Sequence, residues 1–269
     1  MPMVFACSVS HTPGIRAWAD APPADQKERF YAGYDDLRER LWAAQPDTIL
    51  IISSEHFANF FLDCMPAFAI GQAQRYFGPI EPWVKIAQGY TRGDPELSQR
   101  LLAACYAEGL ELNYSSELQL DHGIMIPLSF LDPGRELPVV PLIINCMTYP
   151  MPTQKRCYEL GRTLENALQS QERRVAVVAA GGLSHAPGER MHGNIDAEFD
   201  RTFLGQLESG DVDAFTAYTD ETLESRGLGT HEIRTWVALA GVANGARATT
   251  IFYEPVVEWA TGCALLHYE

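Results

Sequence analysis

Short apolar runs rich in β-branched residues alternate with helical patterns along this chain. Buried strands are predicted at residues 3–9, 48–53 and 175–180, because each run is apolar and is bounded by polar or turn-forming residues. Helices are predicted at residues 24–45 and 153–170, where apolar side chains recur at helical spacing. Strands that alternate with helices favour an α/β layered domain with a central, largely parallel or mixed sheet flanked by helices.

The remaining segments extend this pattern. Asp94 followed by a proline is typical of a helix start, which predicts a helix over residues 94–108. We interpret residues 60–70 as a strand interrupted by a proline, and residues 71–93 as a long loop of the kind that often carries function. Further strands are predicted at residues 139–144, 247–254 and 259–267, and a mainly helical region at residues 195–245.

Length and charge limit the class of protein. The chain has 269 residues, 46% of them hydrophobic, and no internal repeat or linker, which predicts one domain over residues 1–269. A formal net charge of -15 argues against a nucleic-acid or anionic membrane surface. Residues 1–10 do not resemble a secretory signal, no apolar run is long enough to span a bilayer, and the six cysteines form no C-x-x-C pair. We therefore expect a cytoplasmic protein with free thiols.

Three of the predicted strands run into a histidine. His11, His56 and His185 follow the three buried strands named first. In an open α/β sheet the functional crevice lies outside the carboxyl ends of the strands. One such histidine is as readily an ordinary loop residue, but three in equivalent positions indicate a site. If the strands are parallel neighbours, the three imidazoles converge on one crevice.

Two further groups lie near predicted helix starts. His122 precedes an apolar stretch that is typical of a helix, and we interpret Asp121 as a cap of that turn rather than a partner of an imidazole. Glu232 is predicted in the first turn of a helix capped by Thr230, where an acid interacts well with the helix dipole. Glu232 shares a face with apolar residues, so we expect it to be partly buried and to need a partner such as a metal. His231 is expected to point to another side of that helix.

The residue types in this set favour metal chemistry. Two histidines and a carboxylate around open coordination positions form the facial triad of non-haem Fe(II) oxygenases. The same ligands could hold Zn²⁺ for hydrolysis by a bound water. Additional histidines can serve as acid and base near neutral pH. Ligand types alone leave both metals open.

Six stretches in consistent order resemble the class III extradiol ring-cleavage dioxygenases. The similarity is greatest to the dihydroxyphenylpropionate dioxygenases of that class, and it also extends to the catalytic β subunits of protocatechuate dioxygenases. The matching stretches span nearly the whole chain: SHTPG at 10–14, EHFANFFLDCMPAF at 55–68, LDHGIMIPLSFL at 120–131, GGLSHAP at 181–187, THEIRTWVA at 230–238 and EPVVEWATG at 254–262.

The resemblance implies a role for each site residue. His11, His56 and Glu232 correspond to the ligands of an Fe(II) cofactor, and His122 and His185 correspond to a catalytic acid–base pair. The implied partners are a small aromatic diol and O2. The class also implies a homo-oligomer, with a separate small subunit as a further option.

The substrate and two different functions stay open. Thr12 and Phe57 adjoin the expected ligands and are predicted to contact substrate, with Phe60 and Phe61 as further wall residues. The chain is shorter than the dihydroxyphenylpropionate enzymes between GGLSHAP and THEIRTW, a region expected to shape the pocket. A 2-aminophenol could replace the catechol as substrate. The same scaffold could also serve a zinc hydrolase or a non-catalytic interaction protein.

Overall fold

An eight-stranded mixed sheet lies at the centre of the fold. The computed structural model describes residues 3–170, 172–188 and 190–269, so the prediction of one domain over residues 1–269 includes a few that lie outside the described residues. In the described residues the strands are β1 Met3–Ser10, β2 Thr48–Ser54, β3 Phe68–Gly71, β4 Arg75–Gly78, β5 Gly89–Arg92, β6 Asn113–Ser115, β7 Val139–Ile144, β8 Val175–Gly181, β9 Ala248–Val256 and β10 Thr261–Tyr268.

Four parallel strands form the middle of this sheet. The strand order is β6-β3-β7-β2-β8-β1-β10-β9, and β7, β2, β8 and β1 all run in the same direction. Strands β3 and β10 are antiparallel to these four at either side. The last residue of β1, Ser10, pairs with the last residue of β8, Gly181, so the two strands end side by side. The three strands that lead to histidines are therefore parallel neighbours.

Helices cover both faces of the sheet. In the described residues they are α1 Gly14–Ala17, α2 Ala24–Ala43, α3 Pro95–Ala107, α4 His122–Leu131, α5 Gln154–Gln169, α6 Ala197–Ser209, α7 Val212–Thr216, α8 Asp220–Glu224 and α9 Ile233–Ala243. Apolar side chains of α3, α5, α6 and α9 pack in one core with Val177 of β8, and those of α2 and α4 pack in a second core with Val178. The predicted α/β layered fold with a mixed sheet is confirmed. None of the described helices is both long and apolar enough to cross a bilayer.

The prediction of a long loop over residues 71–93 is wrong in part. This segment contains the antiparallel hairpin of β4 and β5, followed along the chain by α3. A short 3-10 helix, Pro82–Val84, lies between the two strands, with Val84 fully buried. The sequence concealed the hairpin because its strands have four residues each, too few to show a clear alternation.

The strand predicted over residues 60–70 begins only at Phe68. Before it, the backbone amides of Asn59 and Phe60 donate to the carboxylate of Glu55 at 2.8 and 3.4 Å. Because the buried carboxylate accepts hydrogen bonds from these neighbouring amides, the backbone here forms turns, and the amides cannot donate to a neighbouring strand.

The helix caps show where local signals succeeded and failed. The Asp94 side chain accepts a hydrogen bond from the amide of Leu97 at 3.1 Å, which confirms the predicted N-cap of α3. The predicted Thr230 cap is wrong. Residues Leu228–Glu232 form a 3-10 helix, α9 begins at Ile233, and the Thr230 hydroxyl is buried without a hydrogen-bond partner. Glu232 therefore lies at the junction of the two helices.

Candidate metal centre

Histidines at the ends of β1, β2 and β8 surround the carboxylate of Glu232. His11 Nε2 lies 3.2 Å from Glu232 Oε2, and His56 Nε2 lies 3.2 Å from Glu232 Oε1. His185 Nε2 is 3.8 Å from the same Oε1. The parallel strands place the three imidazoles on one edge of the sheet, and α9, which packs on β8, brings the carboxylate to them.

His122, the first residue of α4, completes a group of four imidazoles. Its ring centroid lies 4.2 Å from that of His56 and 5.7 Å from that of His11. One ring nitrogen from each of these three residues lies within 4.8 Å of the others. The five residues expected to be ligands or acid–base groups thus lie together.

Glycines make room for this crowding. A Cβ at Gly182 would lie 2.5 Å from Cε1 of His185 and 3.0 Å from Oε2 of Glu232. A Cβ at Gly229 would lie 2.3 Å from Nε2 of His185. Real Cβ atoms do not approach so closely, so the histidine and the carboxylate can occupy these positions only because both neighbours lack side chains.

Asp121 orients an imidazole, contrary to the prediction that it caps the turn. Its Oδ2 lies 2.8 Å from Nδ1 of His56, and its side chain makes no capping hydrogen bond to α4. The imidazole that it holds comes from β2, 65 positions away in the chain, and sequence proximity to His122 gave no indication of that contact. Asp121 therefore fixes the ring of His56 with Nε2 facing Glu232.

Two other residues hold the imidazoles of His122 and His185. Glu81 Oε1 lies 2.7 Å from Nδ1 of His122, and the carbonyl oxygen of Leu183 lies 2.8 Å from Nδ1 of His185. Both partners accept, so each Nδ1 carries the hydrogen that it donates, and Nε2 of His185 faces Glu232 instead. Sequence reasoning missed Glu81, which lies in the segment expected to be a functional loop but at no diagnostic spacing.

Charge in the site is strongly coupled. Burial by itself lowers the pKa of His56, but the charge and hydrogen bond of Asp121, together with Glu232, raise that pKa well above its ordinary value. Burial by itself raises the pKa of Glu232, but the charge of His11 and then that of His185 bring it well below its ordinary value. Burial lowers the pKa of His11. The buried Glu232 carboxylate is therefore negatively charged and is stabilised by positive charge on neighbouring imidazoles.

The donor set fits a divalent transition metal. Within the described residues, Nδ1 of His11 and Oδ1 of Asp121 are buried without a hydrogen-bond partner, and Oε2 of Glu232 lies 3.2 Å from Nε2 of His11 but accepts no well-aligned hydrogen bond. Buried polar atoms are normally paired, and unpaired ones indicate a partner such as an ion. Imidazole and carboxylate ligands suit several first-row metals, including iron and zinc.

The residues expected to line the substrate pocket differ in burial and in backbone conformation. The Thr12 hydroxyl is buried and donates to the carbonyl oxygen of Trp259 at 3.3 Å. Phe57 follows His56 with a φ of 56°, a left-handed conformation that is strained for an aromatic residue. Phe60 packs against the apolar core, whereas Phe61 is 53% exposed.

His231 belongs to a different network, as its predicted direction implied. Its Nδ1 accepts a hydrogen bond from the buried Arg234 at 2.7 Å. Burial and then the Arg234 charge lower the pKa of His231 to about 4. This neutral imidazole is therefore held against the first turn of α9, next to Glu232.

Comparison with known proteins agrees with the geometry. Residues 5–264 match the family model described as the catalytic LigB subunit of aromatic ring-opening dioxygenase. The chain belongs to this family. The predicted resemblance to the class III extradiol dioxygenases is therefore confirmed, and this chain is a ring-cleaving dioxygenase, an oxidoreductase.

Relatives of this LigB chain align over nearly its whole length. It is 30% identical to a 2,3-dihydroxyphenylpropionate/2,3-dihydroxicinnamic acid 1,2-dioxygenase of Cupriavidus necator, over 100% of this chain and 99% of the relative. A protein of the same name from Photorhabdus laumondii is 27% identical over 96% of this chain and 94% of its own. A solved structure of an uncharacterized Escherichia coli K12 protein has the same fold, with a TM-score of 0.68, 15% identity, and 99% and 100% of the two chains covered.

Proposed function

We propose that this LigB-family enzyme is an Fe(II)-dependent extradiol dioxygenase. It inserts both atoms of O2 into a catechol-type ring and cleaves that ring next to the diol, giving a muconic semialdehyde-type product. The observation that supports this most is the Glu232 carboxylate, which lies 3.2 Å from a ring nitrogen of His11 and 3.2 Å from one of His56. Two imidazoles and one carboxylate form the ligand set of non-haem Fe(II) oxygenases.

His11, His56 and Glu232 would hold the metal. When bound, Fe(II) would lower the pKa of the diol and supply the redox chemistry that activates dioxygen. Asp121 keeps Nε2 of His56 directed to Glu232, because Asp121 engages the opposite nitrogen. Such partners of ligating histidines fix the ring and raise its basicity. Thr12 and Phe57 adjoin the ligands and would contact the substrate ring.

His122 would accept a proton from the catechol. Its Nδ1–H donates to the carboxylate of Glu81, which leaves Nε2 as a proton acceptor and stabilises the positive charge that develops on the ring. His185 donates instead to a neutral carbonyl, that of Leu183. With His122 as the proton acceptor, we assign proton donation to His185, whose Nε2 faces the site 3.8 Å from Oε1 of Glu232.

Metal analysis and oxygen uptake test the proposal. Protein loaded anaerobically with Fe(II) should consume one O2 per catechol and produce the visible absorbance of a ring-cleavage product. His56→Ala should lose both iron and turnover. Stoichiometric zinc with oxygen-independent hydrolysis would contradict it, as would a His56→Ala variant with full iron and activity. Faster turnover of an aminophenol than of any catechol would reassign the substrate but not the metal site.

A further inference from the structure

Two exposed tryptophans lie together beside the metal centre. Trp83, in the 3-10 helix Pro82–Val84, is 49% exposed, and Trp18, which follows α1, is 57% exposed. Their ring centroids are 6.1 Å apart with an interplanar angle of 30°. Adjacent large aromatic surfaces in contact with solvent are unusual unless they bind something.

This tryptophan pair, Trp18 and Trp83, is continuous with the catalytic residues. The ring of Trp83 lies 6.5 Å from that of His122, so His122, Trp83 and Trp18 form a row that leads outward from the site. Both segments are also attached to site residues. Trp83 is two positions after Glu81, the partner of His122, and Trp18 is seven positions after His11.

The row is held in place by buried neighbours. The carbonyl oxygen of Trp18 accepts a hydrogen bond from Nε1 of Trp259 at 3.2 Å, and Trp259 is itself buried. Val84 anchors the segment of Trp83 in the core. The aromatic surface is therefore attached to the body of the protein on both sides and is preorganised for binding.

The charged groups around the site are largely paired with one another. In the part of the chain that the structure describes, every ion pair of Glu81, Asp121 and Glu232 is with a histidine. Near the tryptophan pair, Lys27 is paired with Asp20 at 2.7 Å, and the charge of the exposed Lys85 also acts on Asp20. Charge therefore contributes little at the tryptophan pair, and the apolar ring faces decide which substituent fits there.

We propose that the tryptophan pair binds the ring substituent of the substrate, and that this substituent is an uncharged aromatic or apolar group. The proposal rests on the proposed function, since a diol held at the metal places the substituent. This substituent would differ from that of the Cupriavidus necator relative, whose name specifies substrates with a carboxylated side chain. Stacking on the faces of Trp18 and Trp83 suits a phenyl group, because offset aromatic contacts add to the burial of apolar area.

Steady-state kinetics on three catechols test this proposal. The Fe(II)-loaded enzyme is given unsubstituted catechol, a catechol with a phenyl group beside the diol, and one with a carboxyethyl group there. We expect kcat/KM for the phenyl compound to exceed that for the carboxyethyl compound at least about tenfold. Trp83→Ala should lower kcat/KM for the phenyl compound about tenfold, mainly through KM, and change that for unsubstituted catechol less than about twofold.

Controls separate the aromatic surface from general effects. Trp83→Phe should keep most of the preference, and Tyr114→Ala, which removes another exposed aromatic ring on β6, should change nothing. Equal losses of kcat/KM on all three substrates would overturn the proposal. So would a preference for the carboxyethyl compound that disappears in Lys85→Ala, or a change of oligomeric state in Trp18→Ala, which would assign the pair to a subunit interface.

A binding measurement keeps this proposal distinct from the proposed function. If no catechol is cleaved, the proposed function fails, and the tryptophan pair is still tested by anaerobic titration of intrinsic fluorescence with the phenyl compound. We expect quenching whose Kd is about tenfold weaker in Trp83→Ala than in Tyr114→Ala. Equal Kd values in the two variants would overturn the role of the pair.

Discussion

Glu81 Oε1 lies 2.7 Å from Nδ1 of His122, and this contact joins the hairpin segment to α4. The carboxylate of Glu81 is half-buried, and its Oε2 has no hydrogen-bond partner. Glu81 therefore acts on the site through the imidazole that it holds, and we regard it as a positioning residue.

Replacement of Glu81 should lower turnover without loss of metal. We expect Glu81→Ala to reduce kcat about 10–100-fold, because the His122 ring loses both its orientation and its charge partner. Glu81→Gln, which can still accept from Nδ1, should recover part of that loss. Glu117→Gln, an exposed carboxylate elsewhere, is the matched control. Unchanged kcat in Glu81→Ala with unchanged iron would exclude the positioning role.

Asp121 should control the affinity for metal. We expect Asp121→Asn to weaken metal binding about 10–100-fold, because the His56 ring loses the carboxylate that holds its Nδ1 at 2.8 Å. Calorimetric titration of the metal-free protein measures this change directly. Glu258→Gln, an exposed acid, serves as control. If Asp121→Asn bound metal as tightly as the native chain, Asp121 would be only a structural neighbour of His56.

A methyl group at Gly229 should disturb His185 and little else. The added Cβ would lie 2.3 Å from Nε2 of that imidazole, so the ring must move. We expect Gly229→Ala to keep its metal and lose at least about 100-fold in kcat, within the range of general acid–base contributions. Gly205→Ala is the control, because a Cβ there meets nothing within 4 Å and the residue lies inside α6. That variant should be active and more stable by about 1 kcal/mol.

Asp200 should make stability depend on pH. Burial raises the pKa of Asp200 to about 6, although Ser184 and Tyr253 donate hydrogen bonds to its carboxylate. The folded state therefore keeps a proton that the unfolded chain loses near pH ~4, so this contribution to stability is present at low pH and is lost as pH rises to about 6. The difference corresponds to about 3 kcal/mol.

Denaturant unfolding of Asp200→Asn measures that contribution. Asn cannot ionise, so the free energy of unfolding of the native chain relative to the variant should fall between pH ~4 and ~6 and then level off. Asp63→Asn, which changes an exposed acid, should show no such trend. A constant difference between the native chain and Asp200→Asn across this pH range would mean that folding does not raise the pKa of Asp200.

Local sequence patterns correctly predict the fully buried strands and the capped start of α3. The strands that precede His11, His56 and His185 were recognised because a strand covered on both faces is apolar along its whole length. The α3 cap at Asp94 was recognised because side-chain capping depends on neighbouring residues alone. The short hairpin of β4 and β5 was missed because four-residue strands carry too little periodicity.

Sequence patterns thus predict the layered α/β fold and the strand-end histidines, and family resemblance adds the role expected of Glu232. How these groups are held depends on contacts between distant segments. Asp121 turned out to hold His56 rather than its neighbour His122, and Glu81 came from a segment without a diagnostic pattern. The physical reason is that strands and caps depend on nearby residues, whereas hydrogen bonds between residues 41 and 65 positions apart exist only once the sheet and helices have packed.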